Sequence, residues 1–312
     1  MKFNLLIKIL FVIILILLIL IIIREQQITE NFEDKFEDHE KYEEIYDTEF
    51  TNLYEIIYRD FSDIDFDTNI IYPKIVDNIK NKDDISFLVC GSGTGKLCKK
   101  IKEKYKNVIG VDISENMLKK AQTLYPNIKF VRGNIAKKNI FDKNLFSHIY
   151  IDERTLYYNK TEDIEKIVKN CFDWLKEGGF LIAHIYDPNK LQLASRYYSS
   201  KYIDNKGNTH GFTYLNDFSH DCYYIKDSDN VDNDVFNYFD KVIFDTGQKR
   251  IKKTTFYIPA KEKIYEIFLN NWFEVFYIEK IRIQIVGGYE LAIFRKKKQI
   301  FSVDELEKNK KI

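Results

Sequence analysis

The sequence predicts an α/β fold: a doubly wound, largely parallel sheet with a terminal antiparallel hairpin, a β-rich insertion and an N-terminal transmembrane helix. Three observations carry this prediction. Short apolar runs alternate with segments of 3.6-residue period between residues 85 and 186, as in strands joined by helices. None of the 12 glycines precedes Gly91 and seven fall from Gly91 to Gly179, which concentrates tight turns and close backbone approaches there. Residues 9–23, ILFVIILILLILIII, carry no polar side chain.

The chain has 312 residues, 31% charged and 45% apolar, enough for one large domain with appendages. Residues 3–23 as a helix would span roughly 30 Å, the thickness of a bilayer core, with Lys8 snorkelling to the headgroups. The following REQQITE offers no small-residue cleavage site, so an uncleaved anchor is expected instead of a signal peptide. Basic residues flank the run on both sides and leave its orientation open. Net charge is zero, but residues 24–67 hold sixteen acids against four bases. That acidic approach argues against nucleic acid as a partner. Four cysteines without a CxxC pair read as reduced thiols. The expected organisation is an anchor (1–23), an acidic helical juxtamembrane segment (24–44), a folded domain (45–296) with an insertion (196–258), and a charged tail (297–312).

Within the domain the elements follow in order. Tyr46, Phe50, Leu53, Tyr54, Ile57 and Phe61 form an apolar helical stripe. Residues 85–90 (ISFLVC) and 108–112 (VIGVD) read as the first two strands, and Ser114 as the cap of the next helix. Residues 128–131, 146–151 and 180–186 supply three more strands. Between the last two, Thr161 is expected to cap a helix that Gly178 and Gly179 end. The insertion is thick with aromatic residues, and DTGQ (245–248) reads as a hairpin turn within it. A helix around residues 264–269 follows. Residues 273–285 and 289–295 are β-rich runs joined by a short Val-Gly-Gly link, which only an antiparallel hairpin accommodates.

The glycine turn CGSGTGKL (90–97) is the chemically informative stretch. A triphosphate loop, GxxxxGK[ST], fails at Cys90 and at Leu97. A dinucleotide turn, GxGxxG, fails at Lys96. What remains is GxGxG directly after a strand, which lets backbone amides approach a ligand. Asp112 ends the second strand, where a carboxylate can accept both hydrogen bonds of a ribose diol or serve as a turn or helix cap.

FLVCGSGTGKL, VIGVDIS, RGNI and WLKEGGFLIAHI, in that order, resemble the successive motifs of class I S-adenosylmethionine-dependent methyltransferases, whose sheet is Rossmann-like. The resemblance covers roughly residues 45 to 296. TLYY and NCFDWLKEGG are also similar to uncharacterised methyltransferase-like chains of large DNA viruses. The resemblance implies S-adenosyl-L-methionine as cofactor, with Gly91, Ser92, Gly93 and Gly95 around its methionine end and ribose. It puts Asp112 on the ribose hydroxyls, Ile113 against the adenine and Asn134 facing the adenine amino group, with Ile135 also in the cofactor-binding set.

Methyl transfer from a sulfonium draws its driving force from the cofactor, so the protein chiefly aligns the reactants. Asp152, Tyr157 and His184 follow or end strands at the carboxyl edge; Asp152 and Tyr157 are the candidates beside the methyl group and His184 the candidate base. The insertion is expected to cap the acceptor; its plainer reading is an extension covering a sheet edge. No metal is expected: the acidic run 227–234 lacks the Gly and Glu of a calcium loop, and the five histidines show no ligand spacing. The reading is a membrane-tethered methyltransferase acting on a small-molecule, lipid or protein acceptor. Its rival is a catalytically inactive, membrane-anchored binding module. Because the methyl donor is cytosolic, and the sequon Asn159-Lys160-Thr161 adjoins the expected cleft, the domain is expected to face the cytosol.

Overall fold

A computed structural model describes residues 46–57, most of 68–76, 82–190, 200–203, 209–215, 218–226, 235–245, 249–281 and 289–297. Residues 3–23, the acidic segment 24–44, Phe61, the run 227–234 and the tail 298–312 lie outside the described residues. Among those described, no helix is long and apolar enough to cross a membrane.

The larger sheet contains β1 (Ser86–Cys90), β2 (Asn107–Asp112), β3 (Lys129–Arg132), β4 (Phe146–Ile151), β5 (Leu175–Tyr186), β11 (Phe273–Ile281) and β12 (Tyr289–Lys296). Its order is β11-β12-β5-β4-β1-β2-β3. The first five strands pair in parallel, whereas β12 runs antiparallel to both β5 and β11. In the central strand Phe87, Leu88, Val89 and Cys90 are all buried, with no alternation, because helices cover both faces. β11 is described to Ile281, which pairs with Tyr289, so the two strands are antiparallel as expected; the expected Val-Gly-Gly link and residues 282–285 lie outside the described residues.

Flanking this sheet, among the described residues, are the helices α2 (Lys96–Lys102), α3 (Glu115–Leu124), α4 (Thr161–Trp174) and α5 (Lys261–Asn270). Ser114 caps α3 as expected, its hydroxyl accepting from the Met117 amide at 3.3 Å. Two expected ends are corrected. Thr161 is the first residue of α4, and Lys160 occupies the cap position without a side-chain bond. Gly178 and Gly179 do not end that helix. It stops at Trp174, and Leu175 already pairs with Phe146 in the sheet.

The helix end is satisfied from elsewhere. The amides of Asn144 and Leu145 donate to Asp173 and Trp174, and Lys296 of β12 donates to the carbonyls of Phe172 (2.7 Å) and Leu175 (2.6 Å). The glycine pair instead makes an irregularity in β5. Gly178 has φ +69°, and a Cβ on Gly179 would stand 2.8 Å from the Ser147 carbonyl oxygen.

The insertion forms a separate five-stranded antiparallel sheet, β6 (Ser200–Ile203), β7 (Thr209–Leu215), β8 (Phe218–Lys226), β9 (Val235–Phe244) and β10 (Lys249–Tyr257), in the order β10-β9-β8-β7-β6. The expected hairpin joins β9 to β10, with Ile243 opposite Lys249. Helix α1 (Thr48–Ile57) bridges the cap sheet and α3. Its Leu53 and Ile57 pack with Phe218, Val242 and Phe244 of the cap, and Asp47 pairs with Arg250. On the other side Asn116 donates to the Tyr46 carbonyl at 3.0 Å and Lys120 to Asn52 at 3.0 Å.

Candidate active site

The turn after β1 is built from amides folded back onto β2. Gly91 and Ser92 both donate to the Val111 carbonyl, at 2.9 and 3.0 Å, and Gly95 donates to Ser92 at 2.8 Å. All three glycines have positive φ, yet they meet different surroundings. A Cβ on Gly91 would lie 1.9 Å from Thr155 Oγ1, and one on Gly95 would lie 2.7 Å from the Phe130 ring. One on Gly93 would meet nothing within 4 Å. Gly91 and Gly95 therefore let the chain pack, and Gly93 keeps a space open.

Asp112 ties the two motifs together. Its carboxylate accepts from the Gly93 amide at 2.8 Å and from the Ser114 amide at 2.9 Å. Burial pushes its pKa above the usual carboxylate value, with the Ser114 and Gly93 amides pulling against that shift.

A cavity opens at the carboxyl ends of the strands, where open α/β sheets take ligands. Gly91, Ser92, Gly93, Asp112, Ile113, Asn134 and Ile135 all line it; Gly95 does not, consistent with its packing against Phe130 and Tyr125. Asn134 also holds its own turn, its Oδ1 accepting from the Ala136 amide at 2.9 Å, while Asn170 grips the Ile135 carbonyl at 2.8 Å.

The expected catalytic candidates separate. Asp152 lines the cavity, its amide bonded to the Cys90 carbonyl at 3.0 Å. Tyr157 and His184 do not line it. The Tyr157 hydroxyl donates to the His184 carbonyl at 3.1 Å and accepts from the Tyr186 amide at 3.0 Å, stapling the turn after β4 to β5. His184 is buried with its Nε2 3.1 Å from the Tyr150 hydroxyl. Both therefore sit in the core behind the site, where a buried polar tip must find protein partners.

The opposite wall comes from α1, the turn after β4 and the cap: Tyr46, Phe50 and Tyr54; Arg154 and Tyr158; and Tyr238, Asp240, Lys252, Thr254 and Phe256. Arg154 donates to the Tyr224 hydroxyl at 2.8 Å and lies over the Tyr238 and Phe256 rings. Burial draws Lys252 down to about 7, against the pull of Asp240. Asp240 itself, although buried, stays below the usual carboxylate range because of His220, its hydrogen-bond partner, and Lys252. Sequence reasoning missed Asp240, Lys252 and Thr254. The signal was there: Lys252, Thr254 and Phe256 are two apart, so on a strand they share one face. Among the described residues no group of three or more His, Cys, Asp or Glu could hold a metal, and all four cysteines are free and buried.

The strand order, closed by an antiparallel hairpin, is the fold of the S-adenosylmethionine-dependent methyltransferases. Comparison with known proteins makes this particular. Residues 87–179 match the family model of a methyltransferase domain. A methyltransferase from Clostridium acetobutylicum superposes with a TM-score of 0.62 at 17% identity, covering 80% of this chain and 98% of that one. The CcbJ methyltransferase of Streptomyces caelestis gives 0.62 at 16% identity over 81% and 100%. CalS10, an amino pentose methyltransferase solved with its S-adenosylmethionine, gives 0.57 at 15% over 77% and 96%. By sequence, phosphoethanolamine N-methyltransferase of Plasmodium falciparum is 32% identical over 117 residues, 36% of this chain and 43% of that protein. Phosphoethanolamine N-methyltransferase 3 of Arabidopsis thaliana is 25% identical over 112 residues, 35% of this chain and 23% of that protein. The chain thus spans less than half the length of these curated relatives.

S-adenosylmethionine is the cofactor that goes with this fold, and the residues suit it. The Ser92 hydroxyl is buried in the cavity wall without a hydrogen-bond partner among the described residues. Asp112, holding one amide on each oxygen, keeps lone pairs for a diol.

Proposed function

We propose that this chain is an S-adenosylmethionine-dependent methyltransferase acting on a small nitrogen acceptor enclosed beneath the cap, and that residues 3–23 tether it to a membrane with the domain on the cytosolic side. The observation that carries the reading is the continuity of one cavity from the glycine turn and Asp112 to a wall of aromatic and charged cap residues. A cofactor site alone would not need such a wall.

The bound cofactor supplies an electrophilic methyl group on a sulfonium. The chain's part is to hold and shield. Gly91, Ser92 and Gly93 would hold the methionine end and ribose of the cofactor, and Asp112 would accept from the ribose hydroxyls. Ile113, Asn134 and Ile135 would bound the adenine end, while Gly95 sets the path of the turn. Asp152, between the turn and the cap, faces the acceptor. The aromatic wall excludes water from an in-line displacement, which needs alignment more than proton chemistry. Most of the relatives' names support nitrogen as the acceptor atom, phosphoethanolamine N-methyltransferases by sequence and an amino pentose methyltransferase by structure, while one relative by sequence is a caffeate O-methyltransferase-like protein. The apolar run 9–23 supports the tether.

Calorimetry on the full chain in detergent tests the cofactor assignment. S-adenosylhomocysteine should bind at micromolar levels, lose that affinity in Asp112→Ala, and not be replaced by NAD. Absence of binding to the folded chain overturns the enzyme reading. A panel of small amines, ethanolamine phosphate included, then tests the acceptor by release of S-adenosylhomocysteine. Carbonate extraction of cell membranes tests the tether: the full chain should stay in the pellet, and deletion of residues 1–23 should release it.

A further inference from the structure

Lys252 occupies an unusual position. It is 5% exposed, and among the described residues no carboxylate forms an ion pair or hydrogen bond with its amine, which faces the cavity. Its Nζ lies 3.9 Å from the centre of the Phe50 ring and 4.4 Å from that of Tyr46. Two places along the same strand face, the Thr254 hydroxyl is buried in the cavity wall with no hydrogen-bond partner among the described residues. A buried amine held against two rings and, on the same strand face, a hydroxyl without a hydrogen-bond partner among the described residues make a cavity wall that suits a polar ligand.

We propose that Lys252 is the proton acceptor of the reaction, taking a proton from an ammonium acceptor held between the cap and the glycine turn, with the Thr254 hydroxyl as a second contact. The inference rests on the methyltransferase reading and extends it to the acceptor's chemistry. An amine protonated at neutral pH has no lone pair to attack a methyl group, so a base must first free it.

The proton passes from the acceptor nitrogen to Lys252 Nζ. The freed lone pair then forms the new N–C bond, while the C–S bond breaks and its electrons stay on sulfur. Lys252 returns its proton to water when the product leaves. An uncharged amine can do this, and burial shifts Lys252 toward that state. Burial draws the lysine to about 7. Arg154 and Arg250 repel an added charge, while Asp240 across the strand pair, Asp47 before α1, and the two ring faces moderate the shift. Asp152 and Glu153 face the same cavity and suit a cationic acceptor.

The experiment uses the full chain in detergent with Lys252→Met and Lys252→Arg. Trace acetylation with acetic anhydride from pH 5.5 to 10.5, read peptide by peptide, reports the ionisation of each lysine. The Lys252 peptide should show half-maximal labelling near pH 7, about three units below surface lysines, and lose labelling when S-adenosylhomocysteine and an amine substrate are bound. Both variants should bind S-adenosylhomocysteine within twofold of the native chain and lose about 100-fold or more in amine turnover. Arginine stays charged and cannot accept the proton, so rescue by Lys252→Arg would indicate a merely electrostatic role and overturn the proposal. Labelling of Lys252 in step with surface lysines would also overturn it, as would cofactor binding with no amine in the panel methylated. Failure of the native chain to bind S-adenosylhomocysteine would instead sink the methyltransferase reading, whatever the labelling shows.

Discussion

Replacing Gly91 and Gly93 separately by alanine should divide stability from binding within one turn. Gly91 has φ +71°, and an added Cβ would stand 1.9 Å from Thr155 Oγ1 and 2.8 Å from Thr155 Cβ and Cγ2. The left-handed backbone costs an L-residue about 1–2 kcal/mol. The clash costs about 1–3 kcal/mol more, because Thr155 begins a 3₁₀ turn whose Leu156 and Tyr157 are buried and cannot move freely. Together these predict a loss of roughly 2–5 kcal/mol. For a domain of this size that lowers Tm by about 5–20 °C. Gly93 has φ +51° but an open space where its Cβ would go, so only the backbone cost applies, roughly 1–2 kcal/mol. Its methyl would protrude into the cavity and should weaken S-adenosylhomocysteine binding at least tenfold. Thermal unfolding followed by circular dichroism, with calorimetry on each folded variant, measures both quantities. Equal destabilisation by the two substitutions, or unaltered binding in Gly93→Ala, would refute this division of labour.

Tyr157→Phe leaves a buried carbonyl and a buried amide without the hydroxyl that joins them, and should cost about 1–3 kcal/mol in urea unfolding while S-adenosylhomocysteine affinity stays within twofold. Lys296→Met removes the donor from the end of α4 and should cost about 1.5–3 kcal/mol, read as a lower Tm. His148, packed between the Phe87 and Phe180 rings, is held by burial at about 4 against an ordinary 6.5. The unfolded chain therefore binds this proton first as pH falls. Stability is full above pH 6.5 and declines toward pH 4, with roughly 2 kcal/mol lost between pH 7 and 5 from this residue. Urea midpoints against pH should show a shallower decline in His148→Phe, and an unchanged slope would refute the assignment.

The alternation of strands and helices, the antiparallel end of the sheet, the Ser114 cap and the glycine turn were all legible along the chain. Each rests on local signals: apolar period, turn residues and the spacing of Gly91, Gly93, Gly95 and Asp112. Local signals misled where a distant partner intervened. Gly178 and Gly179 looked like a helix stop, but Lys296, 122 residues beyond Trp174, takes up the last carbonyls of α4, and the glycines are spent on an irregular strand pairing instead.

Site membership divides along the same line. Residues near the glycine turn were found because one strand end and its neighbour carry them. His184 and Tyr157 were expected at the cavity because strand ends point that way, yet their polar tips are used in the core. Lys252, Thr254 and Asp240 lie in a strand pair whose sequence alternates like any half-buried sheet. Only the docking of that sheet against α1 and the turn after β4 decides which of its faces meets the cavity, since a strand's pattern separates its two faces without saying what each will cover.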